Sequence, residues 1–361
     1  MQPERQDPGL PASATAGPGR AAGSRRLRLM VVKAGVSALF LLFLAKWVDW
    51  EVLWEAAGNI SRVYFLVSCG IVVCCDVLIA VRLRCLMRPT CLSLPLWRLV
   101  RINYAARFYA IFLPAGIGQA VVRWYKVTEN KYGQIQFVVV SVVEKSLFFM
   151  VTLLFVGVPL LFSSDPRIEH IRVGLLPVLG TAAAILGCLY VLLASESLLR
   201  LAEPLTLRIR TRVVRGLPRV GRLIDDLGIF RGRAGILLAA TLLSCVIQIL
   251  IAVRISLLCR AVGVTLPWLN LLWVSSFVFF IQVMPVSFAG VGVRETAFAY
   301  TFGLYALGRE AGALVGVLFF AQMLVLAGIG GLLEIADRGG RAAPSDGSTE
   351  QSPPAPPGTP C

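Results

Sequence analysis

FLPAGIGQAVVRWYKV (112 to 127) and VMPVSFAGVGVRETAF (283 to 298) each interrupt a membrane-grade apolar run with Pro and Gly and place an Arg nine residues after the Pro. A broken backbone and a guanidinium are costly at bilayer depth unless protein or a water-filled cavity satisfies them. The pair is therefore the strongest pointer to a site, and the rest of the chain decides how two such breaks are arranged.

Composition places the chain among polytopic membrane proteins. Of its 361 residues 57% are hydrophobic and 15% charged, and mean hydropathy is +0.77. Several runs reach the roughly 20 apolar residues that cross a bilayer. The formal net charge of +15 does not point to nucleic acid, because Lys and Arg fall in short clusters beside apolar runs, the positive-inside pattern. Of nine Cys, Cys69, Cys74, Cys75, Cys188 and Cys245 lie inside predicted spans, without metal-ligand spacing, and read as small apolar residues. The single His, His170, falls in a predicted outer loop, and no Ser-His phosphatase pattern, acidic metal site or Gly-rich nucleotide loop occurs. No catalytic residues, metal or cofactor are expected, and the chain reads as a protein other than an enzyme.

The ends, 1 to 28 and 337 to 361, are rich in Pro, Gly and Ala and read as disordered cytoplasmic tails. Ser24 to Arg26 precedes an apolar run without a small-residue cleavage site, so it flanks an uncleaved span on the cytoplasmic side. Full spans are predicted over 29 to 47, 63 to 81, 135 to 162, 172 to 194, 234 to 257 and 311 to 334. After the second come Arg82, Arg84, Arg88, Arg98 and Arg101, which return the chain to the cytoplasm. The first broken segment, about 102 to 125, has cations on both flanks and is predicted to enter and leave on the cytoplasmic side. Residues 195 to 233 form a basic cytoplasmic loop, within which LRIRTRVVRGLPRVGRLIDDLGIF (207 to 230) suits an interfacial helix. The second broken segment, about 268 to 306, lies between sparsely charged loops and is predicted to open outward. Both termini come out cytoplasmic.

This topology contains an internal symmetry. Span, cytoplasmic hairpin, span (63 to 162) is matched by span, outer hairpin, span (234 to 334) running the other way. Inverted repeats with broken segments in corresponding positions are the signature of a carrier whose site lies between the repeats. With Pro114 set on Pro285, Arg123 falls on Arg294, although Gly116 and Gly118 do not overlay Gly290 and Gly292. The fold class expected is all-α and polytopic, with about six full spans and two re-entrant hairpins in an inverted repeat.

The breaks suit an anion. A half-helix starting just after Gly118 or Gly290 directs backbone N–H groups and the positive end of its dipole into the interior. Arg123 and Arg294 lie about a turn further on and offer bidentate contacts to a phosphate. The alternative is that each Arg reaches an interface or pairs with a buried acid, Glu144 or Glu295. Glu295, adjacent to Arg294, is expected to point elsewhere on its helix and to partner another segment. Glu144, Lys145, Asp76 and Arg254 fall inside or near spans, where an unpaired charge costs about 2.5 to 3.5 kcal/mol, so they should face the bundle interior. Glu144 is either a fixed counter-ion to an Arg or a proton carrier, and Asp76 is expected to meet the Arg cluster that begins at Arg82.

The run from Pro267 through VSSFVFFIQVMPVSFAGVGVRETAFAYTF resembles the signature end of the lysylphosphatidylglycerol synthase transmembrane region family, also called flippase-like or UPF0104. FLPAGIGQAVVR resembles its earlier LPgraGEvvR element and VVEKSLFF its ER-centred span. The resemblance covers roughly 29 to 336. It implies an integral inner-membrane domain, in bacteria the cytoplasmic membrane, associated with moving lipids between leaflets. Carried over by residue, it marks Pro114, Gly118, Arg123, Glu144, Pro285, Gly290, Gly292, Arg294 and Glu295 as substrate-binding candidates. Gln119 stands where Glu is usual, Lys145 where Arg is usual, and Phe148 or Phe149 near where an Asp often follows. The soluble aminoacyl-transfer domain of the multiple peptide resistance factor is absent, so synthesis of the lysyl lipid is not expected. The partners implied are an anionic phospholipid, a glycolipid or a polyprenyl-phosphate-linked lipid, with a lipid-synthesis enzyme as a further partner. The function expected is lipid translocation; a membrane enzyme or a non-catalytic subunit of glycolipid synthesis is the alternative.

Overall fold

The computed structural model describes residues 51, 58, 60–90, 92–112, 118–128, 133–163, 165–194, 227–230, 232–283 and 292–341. The described residues form helices and no strand. In chain order these are α1 (Arg62–Met87), α2 (Leu96–Phe112), α3 (Gly118–Val127), α4 (Gln134–Phe162), α5 (Glu169–Ala194), α6 (Ala234–Ala261), α7 (Trp268–Val283), α8 (Val293–Leu304) and α9 (Arg309–Arg341). Short 3-10 turns at Pro166–Ile168 and Leu227–Phe230 precede α5 and α6.

Among the described residues five stretches are long and apolar enough to span a bilayer: Arg62–Met87, Gln134–Phe162, Pro166–Cys188, Ala234–Ala261 and Arg309–Ala336. Their outward faces carry Val63, Leu66, Leu161, Val173, Leu242 and Leu332, apolar residues that are stable while exposed only against lipid. The chain is thus an all-α polytopic membrane protein. The expected first span at 29 to 47, most of the basic loop and most of both tails lie outside the described residues. Two boundaries move: α1 continues past 81 to Met87, and α9 continues past 334 to Arg341.

Packing follows the expected repeat. α1 lies against α6, and several of the remaining contacts exchange in pairs when the two halves are swapped, although α4 packs on α6 without a comparable α1–α9 contact. α2 packs on α9 as α7 packs on α4; α1 touches α2 as α6 touches α7; α1 touches α4 as α6 touches α9. One departure is that α8 packs far more extensively on α9 than α3 does on α4. The Ser61 amide donates to the Ala261 carbonyl at 3.0 Å, and further along Arg82 reaches Ser244. Equivalent helices α1 and α6 are therefore antiparallel, so the repeats are inverted.

Each broken segment is a true hairpin. Gly133, at φ +70°, sits against Leu92, which brings the exit of the α2–α3 hairpin back beside its entrance. At the opposite end of the bundle the Trp273 indole donates to the Tyr305 hydroxyl at 2.7 Å, joining the start of α7 to the end of α8. Arg167, in the α4–α5 connection, donates to the Tyr305 carbonyl at 3.0 Å and so marks the same end. Two apolar clusters fill the bundle, one around Trp273, Phe298 and Phe302, the other around Leu83, Leu99 and Phe137.

Helix α9 holds both hairpins, and glycine makes this possible. A Cβ on Gly312 would lie 2.5 Å from the Phe298 carbonyl oxygen, and one on Gly316 would lie 2.9 Å from the Glu295 Cα. Near the other end of α9, a Cβ on Gly330 would collide with the Tyr104 carbonyl of α2. Close backbone approach through small residues replaces the hydrophobic drive that lipid removes. Gly328, on the same helix, has open space around it. Gly312→Ala should therefore destabilise the purified protein by about 1–3 kcal/mol through overpacking, whereas Gly328→Ala should not destabilise it; thermal unfolding in detergent distinguishes the two.

Candidate functional site

A layer of polar side chains lies between the two apolar clusters. In the first repeat Arg82 is its anchor. The sequence reading placed Arg82 in a cytoplasmic cluster, but α1 runs on past it and buries it to 5% exposure. One guanidinium nitrogen donates to Glu144 of α4 at 2.8 Å, another donates to Ser244 of α6 at 2.9 Å, and its face lies 4.9 Å from the Phe148 ring. The other Glu144 oxygen faces Arg123 of α3 at 3.7 Å. Of the two roles left open for Glu144, the geometry displays the counter-ion, and it serves two arginines. Lys145, expected to face the interior, is exposed among the described residues, because the next position on a helix turns about 100° away.

The second repeat repeats the plan with different chemistry. Arg254 stands in α6 at the same distance from the helix start as Arg82 in α1. It donates to the Gln322 amide oxygen of α9 at 2.8 Å and lies 3.8 Å over the Phe319 ring. Gln322 in turn donates to Ser68 of α1, as Arg82 donates to Ser244 of α6. Each cluster thus borrows a Ser from the first span of the other repeat. The residue facing Arg254 is a neutral amide where Arg82 has a carboxylate.

Arg294 is fully buried, at 0% exposure. It donates to Glu295, and its guanidinium lies 5.1 Å from Phe319 and 5.2 Å from Phe320. The expectation that adjacent positions on a helix diverge is therefore wrong here. Glu295 is at N3 of α8 and folds back to accept the Gly292 amide at 2.7 Å, the N3 half of a capping box. That return path brings its second oxygen to Arg294. Gly292 accommodates the turn at φ +83°, a conformation that favours glycine. One carboxylate thereby caps the half-helix and holds its arginine.

Asp76 differs from expectation as well. It is buried on α1 and pairs with Arg107 of the α2–α3 hairpin rather than with the cluster that follows it. Arg254 lies within electrostatic reach of Arg107, Asp76 and Arg294, and Arg123 within reach of Arg82, Arg107 and Asp76. The layer is thus continuous from one hairpin to the other. It holds five arginines (82, 107, 123, 254 and 294) against three carboxylates (76, 144 and 295).

Of the residues singled out in the sequence, Arg123 and Glu144 meet in one half of this layer and Arg294, Glu295 and Gly292 in the other. Gly118 is buried at the start of α3. Pro114, Pro285 and Gly290 lie outside the described residues. Sequence reasoning missed Arg107, Gln322, Ser68 and Ser244, and misplaced Arg82. Setting the spans on one another, as well as the hairpins, would have found Arg82 through its match with Arg254.

The layer makes an asymmetric prediction. Removing the charge in Glu144→Gln strands two arginines and should cost about 3–5 kcal/mol. Gln322→Glu gives Arg254 the carboxylate that Arg82 already has and should be neutral or stabilising. Thermal unfolding of the two variants in detergent should move in opposite directions, or only the first should move.

The helix breaks, the Arg at the same distance from each Pro and the acid of α4 are features that a family model can test over the whole transmembrane region. The model described as "Lysylphosphatidylglycerol synthase TM region" matches residues 30–331. No curated protein and no solved structure gives a significant match to the chain. The match takes in both hairpins and every residue of the polar layer, and the chain belongs to the lysylphosphatidylglycerol synthase TM region family.

Proposed function

We propose that the protein moves a lipid with an anionic headgroup between the leaflets of the membrane. The observation that carries this reading is the charge balance of the polar layer, in which five arginines among the described residues, three buried and two (Arg107 and Arg123) partly exposed, meet three buried carboxylates between hairpins that enter from opposite ends. An excess of cations at membrane depth is costly unless an anion completes it, and here the excess lies on the two arginines that keep some exposure. Arg294 offers Nε and Nη1, which have no hydrogen-bond partner in the structure, and Arg123 offers Nε in the same state. Both lie on half-helices, where the backbone dipole adds to the attraction for a phosphate.

In this mechanism a headgroup engages Arg123 from one side and Arg294 from the other, while acyl chains stay in lipid. Glu144 and Glu295 hold the two arginines in place when the headgroup is absent, and a phosphate competes with them for the guanidinium edges. Gly118 and Gly292, at the starts of the two half-helices, let backbone approach the headgroup. The substrate class is an anionic phospholipid, a glycolipid or a polyprenyl-phosphate-linked lipid. In this reading the end bearing Arg84, Arg88, Arg98 and Arg101 faces the cytoplasm of a bacterial inner membrane. No reaction at a bond is required, so the protein acts as a carrier rather than an enzyme.

Arg294→Lys tests the reading without stranding Glu295, since it keeps the charge and removes the planar fork. In proteoliposomes, transfer of a fluorescent anionic phospholipid should fall by about tenfold or more, with the folded fraction unchanged. Transfer at the native rate would remove Arg294 from the mechanism.

A further inference from the structure

A cavity of about 670 Å³ opens between the two arms of the α2–α3 hairpin and the C-terminal half of α9. Neither Glu144 nor Arg123 is among its lining residues, and it lies toward the end of the bundle where α1 finishes. Three cations, Arg98, Arg101 and Lys126, line it with one acid, Glu334. Ile102, Val121 and Leu333 supply an apolar wall. The volume lies within the usual range for a site that buries a small ligand.

Its polar groups are arranged to be exchanged. Lys126 of α3 donates to Glu334 of α9 at 2.5 Å, and Tyr109 of α2 donates to the other oxygen of that carboxylate at 3.4 Å. One acid therefore ties both arms of the hairpin to α9. Trp124 also lines the cavity, and its indole N–H is buried without a hydrogen-bond acceptor among the described residues. A buried donor in that state is costly until an acceptor arrives. At the rim, Trp97 and Tyr125 are 64% and 65% exposed, amphipathic aromatics of the kind that settle at the headgroup level of a bilayer.

We infer that this cavity binds the phosphate of a membrane lipid, with Lys126 and Trp124 as its ligands and Glu334 as a built-in competitor that the phosphate displaces from Lys126. The apolar wall takes the first carbons of the lipid, and the rim aromatics set its depth. Displacing Glu334 from Lys126 unties α9 from α3, so occupancy of the cavity loosens the clamp across its mouth while α2 stays packed on α9. The inference rests on the lipid-carrier reading for its purpose, but its chemistry is tested by binding alone.

The test is titration of the purified full-length protein in detergent with dihexanoyl phosphatidic acid, dihexanoylglycerol and inorganic phosphate. Phosphatidic acid should bind, the neutral glyceride should not, and inorganic phosphate should bind at least about tenfold more weakly than phosphatidic acid because it forgoes the apolar wall. Lys126→Ala should weaken phosphatidic acid by about tenfold or more, and Trp124→Phe by a smaller factor. Glu334→Gln should tighten it by several-fold, a direction that a merely structural ion pair does not produce. If Lys126→Ala fails to fold, Lys126→Arg and Glu334→Gln carry the test, the first retaining binding and the second improving it. Inorganic phosphate binding as tightly as the lipid would overturn the lipid assignment. Phosphatidic acid affinity indifferent to both Lys126 and Glu334 would overturn the site. Binding as expected without leaflet transfer in proteoliposomes would overturn the carrier reading and leave the site standing.

Discussion

A guanidinium inside a membrane must be held by an acid, an amide or an aromatic face, and this constraint organises the whole bundle. Arg82 and Arg254 occupy the same place in two antiparallel helices, and each draws the last span of its own repeat inward by a side chain that it can hydrogen-bond. Each cluster also takes a Ser from the opposite repeat, so neither half completes its polar layer alone. Glycines on α9 then let that helix press against α8 near one end and α2 near the other. The hairpins are positioned by these contacts, and their arginines point into the layer.

The repeats share a plan and differ in where the negative charge sits. In the first, the carboxylate is Glu144 on the spanning helix α4, shared between Arg82 and Arg123. In the second, it is Glu295 on the half-helix itself, and the spanning helix contributes Gln322. Aromatic rings make up part of the difference: Phe148 lies under Arg82, and Phe319 lies against both Arg254 and Arg294. In the proposed carrier, hairpins with such unlike electrostatics would hold an anion with unlike strength.

Much of this was legible in the chain because membrane physics leaves few options. Apolar runs of spanning length, charge clusters and the two Pro-Gly-Arg breaks were enough to place helices, hairpins and their opposite sidedness. What escaped was pairing. The partner of Asp76 is Arg107, on an element that no local pattern connects to it, and the Ser68–Gln322 contact joins residues 254 positions apart. Glu295 escaped for another reason: spacing rules for helix interiors do not govern a first turn, where an N3 acid folds back to cap its own helix. The end of α1 was misjudged because Arg82 looked like a flanking cation, when a buried acid one helix away lets the span continue through it.

The central claim is that the two hairpins open to opposite sides of the membrane. Tyr125 and Ala306 sit where the first and second hairpins leave the bundle, and both are exposed. In a cysteine-free background, Tyr125→Cys and Ala306→Cys should each react with a membrane-impermeant thiol reagent from one face of sealed vesicles, and the two faces should differ. Labelling of both positions from the same face would contradict the inverted arrangement and the carrier mechanism built on it.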